Sequence, residues 1–202
     1  MQFIAKAVLA ALGAIAPLAA QSSEDPLKDG LAAYENRDYP AALAALAPLA
    51  QRGNAEAQVR LGLMHHNGWG VPVNFSQAAK WYRLAAAQNN PQAQYELGKS
   101  AADCKGFSSD NPEMLKLLRR SAEQGYRDAQ EVLGHLYAYG VGGVSEDLVQ
   151  AYLWYDLAAA RGGKGDAEKR DLIARKLSAD QIADARRLAQ AWTPKIGADA
   201  RD

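Results

Sequence analysis

The sequence predicts an all-α fold: a right-handed α-solenoid of helix-turn-helix repeats with a C-terminal capping helix. Three observations lead there. The pairs Ala57-Gln58 and Leu61-Gly62 recur as Ala93-Gln94 and Leu97-Gly98, then as Ala129-Gln130 and Leu133-Gly134, 36 residues on each time. The chain holds 42 alanines among its 202 residues but only three phenylalanines, which suits close-packed helices better than sheet. It is 49% hydrophobic and 23% charged, the composition of a folded chain.

The 23 basic and 23 acidic residues cancel. That removes the bulk attraction needed for non-specific binding to nucleic acid or an anionic membrane. A single Cys, Cys104, supports neither a disulfide framework nor a thiolate metal site.

Taken in order, residues 1–20 have the parts of a signal peptide. Lys6 is the sole charge, residues 7–19 are apolar, and the segment ends in small side chains. The 13-residue apolar run is interrupted by Gly13 and Pro17, and it falls short of the roughly 20 residues of a membrane span. Cleavage is expected after Ala20, leaving Gln21 first; Gln21 is not Cys, so a lipid anchor there is not indicated. An uncleaved N-terminal anchor helix is the alternative. Export would place the chain in the periplasm or outside the cell, with no stable membrane insertion after cleavage. Cys104 would then face oxidants, either as a small residue at a helix end or in an intermolecular disulfide.

Residues 21–53 carry a degenerate helix pair, begun by Asp25-Pro26 and closed by Gly53. Residues 54–162 form the three repeats. In the first, Val59, Leu61, Leu63 and Met64 recur at helical spacing and Gly68 stops the helix. Asn74 caps a second helix that runs through Ala78, Trp81, Tyr82 and Ala85. Trp81-Tyr82 returns as Leu117-Leu118 and as Trp154-Tyr155, at steps of 36 and 37. The extra residue falls in the Gly142-Gly143 loop. Further helix starts are marked by Asn90-Pro91, Asn111-Pro112 and the run Ser145-Glu146-Asp147. Gly62, Gly98 and Gly134 sit mid-helix, where glycine costs about 1 kcal/mol against alanine. Three recurrences of that cost predict a helix crossing closely at each one. Residues 163–192 supply two capping helices, the second opened by the capping box Ser178 to Gln181. A frayed tail is expected over residues 193–202.

These residues carry a family resemblance. Ala57-Gln58, Leu61-Gly62, the loop Gly68-Trp69-Gly70-Val71, Ala79-Lys80-Trp81-Tyr82-Arg83 and Ala85-Ala86-Ala87-Gln88 resemble the Sel-one-like repeat, a relative of the tetratricopeptide repeat. The third unit matches again through Tyr137, Gly140-Val141-Gly142 and Trp154-Tyr155. The middle unit departs from the pattern, with Cys104 in place of the loop glycine and Leu117-Leu118 in place of the aromatic pair. Some secreted relatives have a disulfide in each repeat and are linked to β-lactams; this chain lacks the paired cysteines, so that activity does not carry over.

No catalytic residue, metal ligand or cofactor is assigned. His65-His66 point about 100° apart on a helix and do not make a metal face; His65 takes the place of Tyr137, a packing position. Gly140-Val141-Gly142-Gly143 follows a helix rather than the strand a phosphate loop needs. The function expected is a protein–protein or peptide binding module of the bacterial cell envelope. A cell-wall hydrolase and a scaffold or assembly factor for an envelope complex are the rivals.

The resemblance implies a concave surface made by first helices. On this chain its candidates are Glu56, Val59, Leu63 and His66, then Gln92, Tyr95 and Lys99, then Asp128, Glu131 and His135. Trp69, in a loop, is either tucked onto the stack or offered to a partner. Tyr95 is the strongest single candidate, in competition with a packing role between units.

Overall fold

The computed structural model describes residues 25–103, 112–163 and 165–195. The expected signal peptide, Cys104 and the expected helix start at Asn111 lie outside them. Among the described residues there are ten helices and no strand: α1 (Pro26–Glu35), α2 (Tyr39–Gln51), α3 (Ala55–Asn67), α4 (Phe75–Ala87), α5 (Pro91–Asp103), α6 (Pro112–Glu123), α7 (Arg127–Tyr139), α8 (Leu148–Ala159), α9 (Asp166–Ala174) and α10 (Ala179–Ala191). Each helix packs on the next from α1 to α9, which is the order of a solenoid. Odd-numbered helices are the first members of the pairs and even-numbered helices the second.

The helix starts follow the chemistry of the chain. Asp25, Asp38, Asn54, Asn74, Asn90 and Asp147 each turn a side-chain oxygen onto the otherwise unpaired N–H groups of the following turn. Ser178 and Gln181 form the reciprocal capping box. Gly68 and Gly140 end α3 and α7 with φ of 74° and 62°, a left-handed conformation that glycine adopts without a Cβ clash.

The mid-helix glycines have their reason in the second helices. The ring of Tyr155 stands 2.8 Å from where a Cβ on Gly134 would be, and that of Tyr82 lies nearer still to Gly62. In the middle unit Leu118 occupies the same place, 3.2 Å from the corresponding point on Gly98. The three residues that fill these notches are the second members of the Trp-Tyr, Leu-Leu and Trp-Tyr pairs. Tyr82 is fully buried.

The repeated Ala-Gln pair joins neighbouring units. Gln58 and Gln130 are buried, and each donates its amide to a carbonyl of the preceding second helix, Ala50 at 3.0 Å and Ala122 at 3.1 Å. Gln88 and Gln124 donate in turn to the amide oxygens of Gln58 and Gln94 at 2.9 and 2.8 Å. At the corresponding place the third unit has Arg161. That side chain bonds its own helix at Leu157 and lies 4.7 Å from the centre of the Trp192 ring. Gln130 Oε1 is left buried without a donor as a result.

Helix α8 is largely apolar, Gln150 and Asp156 apart, and Asp156 pairs with Arg170. Ala151, Tyr152, Leu153, Trp154 and Tyr155 are buried consecutively beneath α7, α9 and α10. The last helix therefore covers α8, as a capping helix must. The tail reading needs a correction over its described part. Lys195 donates its backbone N–H to the Glu123 carbonyl at 2.9 Å and its ammonium to the Glu123 carboxylate at 3.0 Å, so residues 193–195 are held against the end of α6.

The neighbours of Gly62 and Gly98 make these two notches unequal. Gly62→Ala should destabilise the protein by about 1–3 kcal/mol through overpacking against a ring that has no room to move. Gly98→Ala should be close to neutral, since Leu118 can yield and the helix gains propensity. Urea denaturation of the two variants measures the difference. Equal losses would contradict it.

Candidate binding groove

Five first helices, α1, α3, α5, α7 and α9, stand side by side, and a line of side-chain contacts runs across them. The Arg60 guanidinium lies 5.3 Å over the Tyr34 ring and reaches Gln92 Oε1 at 3.5 Å. Tyr95 and Tyr126 meet with ring centres 5.3 Å apart. Arg127 bonds Asp166 at 2.8 Å, and Lys169 reaches Glu131. The face therefore alternates phenol rings with charged groups.

Most of the predicted residues lie along this line. Glu56 pairs with Arg60 at 2.6 Å, Asp128 pairs with Arg127 at 2.5 Å, and Glu131 contacts both Arg127 and Lys169. Gln92 and Tyr95 are half-buried, and Lys99 is exposed with its ammonium 5.9 Å over the Tyr95 ring. His135 is exposed and stacks obliquely on Tyr139.

Others lie elsewhere. Val59 is fully buried against Ala85 and Ala93, so it belongs to the core and not to the surface assigned to it. The small alanines let α4 and α5 close over it. Leu63 is half-buried at the edge of that same cluster. His66 packs edge-on against Phe75 at 5.3 Å, at the start of α4. Trp69 is tucked onto the first unit, stacked on Tyr39 at 5.6 Å and edge-on to Tyr34 at 5.9 Å, though 36% of it stays exposed.

Sequence reasoning missed Tyr34, Arg60, Glu96, Tyr126, Asp166 and Lys169. Arg60 and Glu96 had a signal: they stand four residues after Glu56 and Gln92, and residues four apart share a helix face. Asp166 had none. It is fully buried between Arg127 and Lys169, and its carboxylate fills the space beside Gly163.

Burial governs the electrostatics of the face. It pushes the Tyr34 phenol up to about 12 against the pull of Arg60, and the Tyr95 phenol to about 12 with help from Asp128 and Glu96. Tyr82 and Tyr126 are pushed up for the same reason. All four are neutral hydroxyls at physiological pH. Burial also raises the Glu96 carboxyl above its ordinary value, with Lys99 pulling it down and Asp128 adding a little to the rise. Beside Tyr95, an apolar recess of about 320 Å³ is lined by Leu118, Val132, Leu136 and Val141, with Lys99 and His135 at its rim. Among the described residues no group of three His, Cys, Asp or Glu side chains is placed to hold a metal ion, and no helix is long and apolar enough to cross a membrane.

A stack of helix pairs in this order defines a tetratricopeptide-like repeat protein. Sel1 repeats match over residues 55–90, 91–126 and 127–163, more than half of the chain. The chain belongs to the Sel1 repeat family. It is similar to a Sel1 repeat protein of Oxalobacter formigenes (31% identity, TM-score 0.64, covering 72% of this chain and 60% of that one). A protective antigen with an SLR fold, present in uropathogenic Escherichia coli, is similar at 27% identity and a TM-score of 0.56, over 83% of this chain and 44% of that one. An uncharacterized protein of Neisseria meningitidis shares 36% identity over 116 residues. Chitin synthase regulatory factor 3 of Schizosaccharomyces pombe shares 33% over 119 residues. The alignments cover 57% and 56% of this chain but only 23% and 13% of those two proteins. Sel1 repeats build protein-interaction modules, and proteins made of them are generally non-catalytic.

The carboxyl of Glu96 sets a pH dependence. A raised pKa in the folded state means that ionised Glu96 lowers stability, and protonation on acidification restores it. Glu96→Gln should therefore melt higher than the parent protein at pH 7, and the gap should narrow as pH falls through the folded value toward 4. Melting curves at several pH values test this. A gap that widens on acidification would reverse the assignment.

Proposed function

We propose that this chain is an exported binding module that holds a protein or peptide partner along its first-helix face in the bacterial cell envelope. The observation that carries the reading is the line of Tyr34, Arg60, Gln92, Tyr95, Tyr126, Asp128 and Glu131 across successive helices. Such a line offers an extended ligand one rigid aromatic or polar contact after another, and aromatic residues and arginine are the side chains that dominate protein interfaces. The apolar recess beside Tyr95 gives the same ligand a place for an aliphatic side chain. The export part of the proposal rests on Lys6 and the apolar residues 7–19.

Two experiments test the parts separately. N-terminal sequencing of protein from an envelope extract should begin near Gln21; a chain beginning at Met1 in the cytosolic fraction would sink the export proposal. A photoreactive amino acid placed in vivo at Lys99 or His135, both exposed on first helices, should give discrete adducts. The same probe at Arg83 or Lys116, exposed on second helices, should not. Adducts confined to the second-helix positions would move the partner to the other face.

A further inference from the structure

We propose that the seam between the second and third units selects one pair of side chains in the partner. An aliphatic or aromatic side chain enters the apolar recess at Val141, and an acidic side chain two residues from it meets Lys99 and His135 at the rim. The inference deepens the binding-module reading and rests on it.

The recess is there because the third unit lacks a cover that the first unit has. Trp69 and Val141 hold the same place, two repeats apart. Each follows the glycine that ends its first helix, and each donates its backbone N–H into the last turn, to the carbonyls of Met64 and Leu136 at 3.0 and 3.2 Å. The Trp69 indole folds back over the preceding helix pair, stacked on Tyr39 and edge-on to Tyr34. A valine is too short to do so. Val141, 43% exposed, forms one wall of an open recess of about 320 Å³. Met114 and Leu118 of α6, Val132 and Leu136 of α7 and Tyr95 of α5 form the others.

The rim adds a charge preference. Lys99 and His135 occupy the same place in consecutive repeats, 36 residues apart, so they flank the recess from α5 and α7, and both are exposed. Neither is in an ion pair with a described acid. Lys99 rests 5.9 Å over the Tyr95 ring, and His135 lies against Tyr139. An exposed ammonium above a ring keeps N–H groups open to a second partner, and an imidazole presents an N–H in either protonation state. No described acid lines the recess. Glu96 lies one turn before Lys99, beyond ion-pair reach, while Asp128 is taken by Arg127 and Glu131 by Lys169 and Arg127. The rim thus offers donors and no carboxylate.

A ligand that suits both halves carries an apolar and an acidic group a few ångströms apart. A wholly polar segment would leave the aliphatic walls in water. A basic residue near the apolar one would meet Lys99 with like charge, and a neutral one would gain nothing from it. In an extended chain, side chains two residues apart point the same way and stand about 7 Å apart, which suits one in the recess and the other at its mouth.

The test titrates methyl-labelled full-length protein with acetylated, amidated pentapeptides. Three have leucine at the centre, glycine on either side, and aspartate, asparagine or lysine at both ends; a fourth has aspartate ends and a glycine centre. Leu118, Val132 and Leu136 methyl resonances are followed by NMR. The aspartate–leucine peptide should shift them saturably, about threefold tighter than the asparagine peptide and tighter still than the lysine peptide, with the preference fading in high salt. The glycine-centred peptide should be inert. Lys99→Glu should reverse the ranking of the aspartate and lysine peptides. Val141→Trp, which places the first unit's cover at an exposed loop position, should abolish the shifts. Equal titration by the three leucine peptides, no shift by any of them, an unreversed ranking in Lys99→Glu or unchanged binding in Val141→Trp would each overturn the site. So would methyl shifts on diluting the protein alone, which would give the recess to a second copy, or contacts in the free protein between these methyls and the Phe107 ring, which lies outside the described residues. The adduct pattern of the photoreactive probes judges the binding-module reading separately: adducts on first helices without this peptide ranking would keep the face and remove the site.

Discussion

Everything on the first-helix face depends on how closely the two helices of each unit cross, and that is decided where Tyr82, Leu118 and Tyr155 enter the notches at Gly62, Gly98 and Gly134. Each glycine costs its helix about 1 kcal/mol. Burying a tyrosine ring removes roughly 150–250 Å² from water, worth at most about 4–6 kcal/mol. Packing therefore outweighs propensity, even with the Tyr82 hydroxyl left unbonded. The middle unit solves the same problem with a smaller, branched side chain, which explains why the loss of its aromatic pair leaves the repeat intact.

Units are joined by a second device. The buried glutamines Gln58 and Gln130 bond carbonyls of the preceding second helix, while Gln88 and Gln124 close the ring from within the unit. Buried amides of this kind fix the angle between neighbours because a misplaced donor or acceptor is expensive in the interior. In the third unit Arg161 breaks the series and turns to Trp192. The array ends there, and the amide that would have continued it gives way to a contact with the terminal segment. The same position carries either propagation or termination of the stack.

Spacing then converts the array into a surface. Because consecutive first helices advance by one unit, a residue type placed once per repeat becomes a row. Glu56, Gln92 and Asp128 make one such row. Arg60, Glu96 and Val132 make another, whose charge changes from positive to negative to none along the molecule. The two ends of the face are therefore chemically different.

Much of this was legible in the chain because it is local or periodic. Helix starts at Asp25, Asn74 and Ser178, the stop at Gly68 and the close crossing at the mid-helix glycines follow from a few neighbouring residues or from one residue seen three times. The tucked position of Trp69 was open in sequence and closed by Tyr39 and Tyr34, which lie some thirty residues away. Val59 was misplaced on the surface because its burial depends on the size of Ala85 and Ala93 in other helices. Asp166 and Glu96 show the limit most plainly. Both are acids on first helices, and nothing local separates them. One is enclosed and neutralised by Arg127 and Lys169; the other is half-buried, and burial raises its carboxyl although Lys99 pulls it down. Periodicity determined which residues come side by side. Only the assembled structure decided which charges are satisfied, because charge satisfaction is a property of all the neighbours at once.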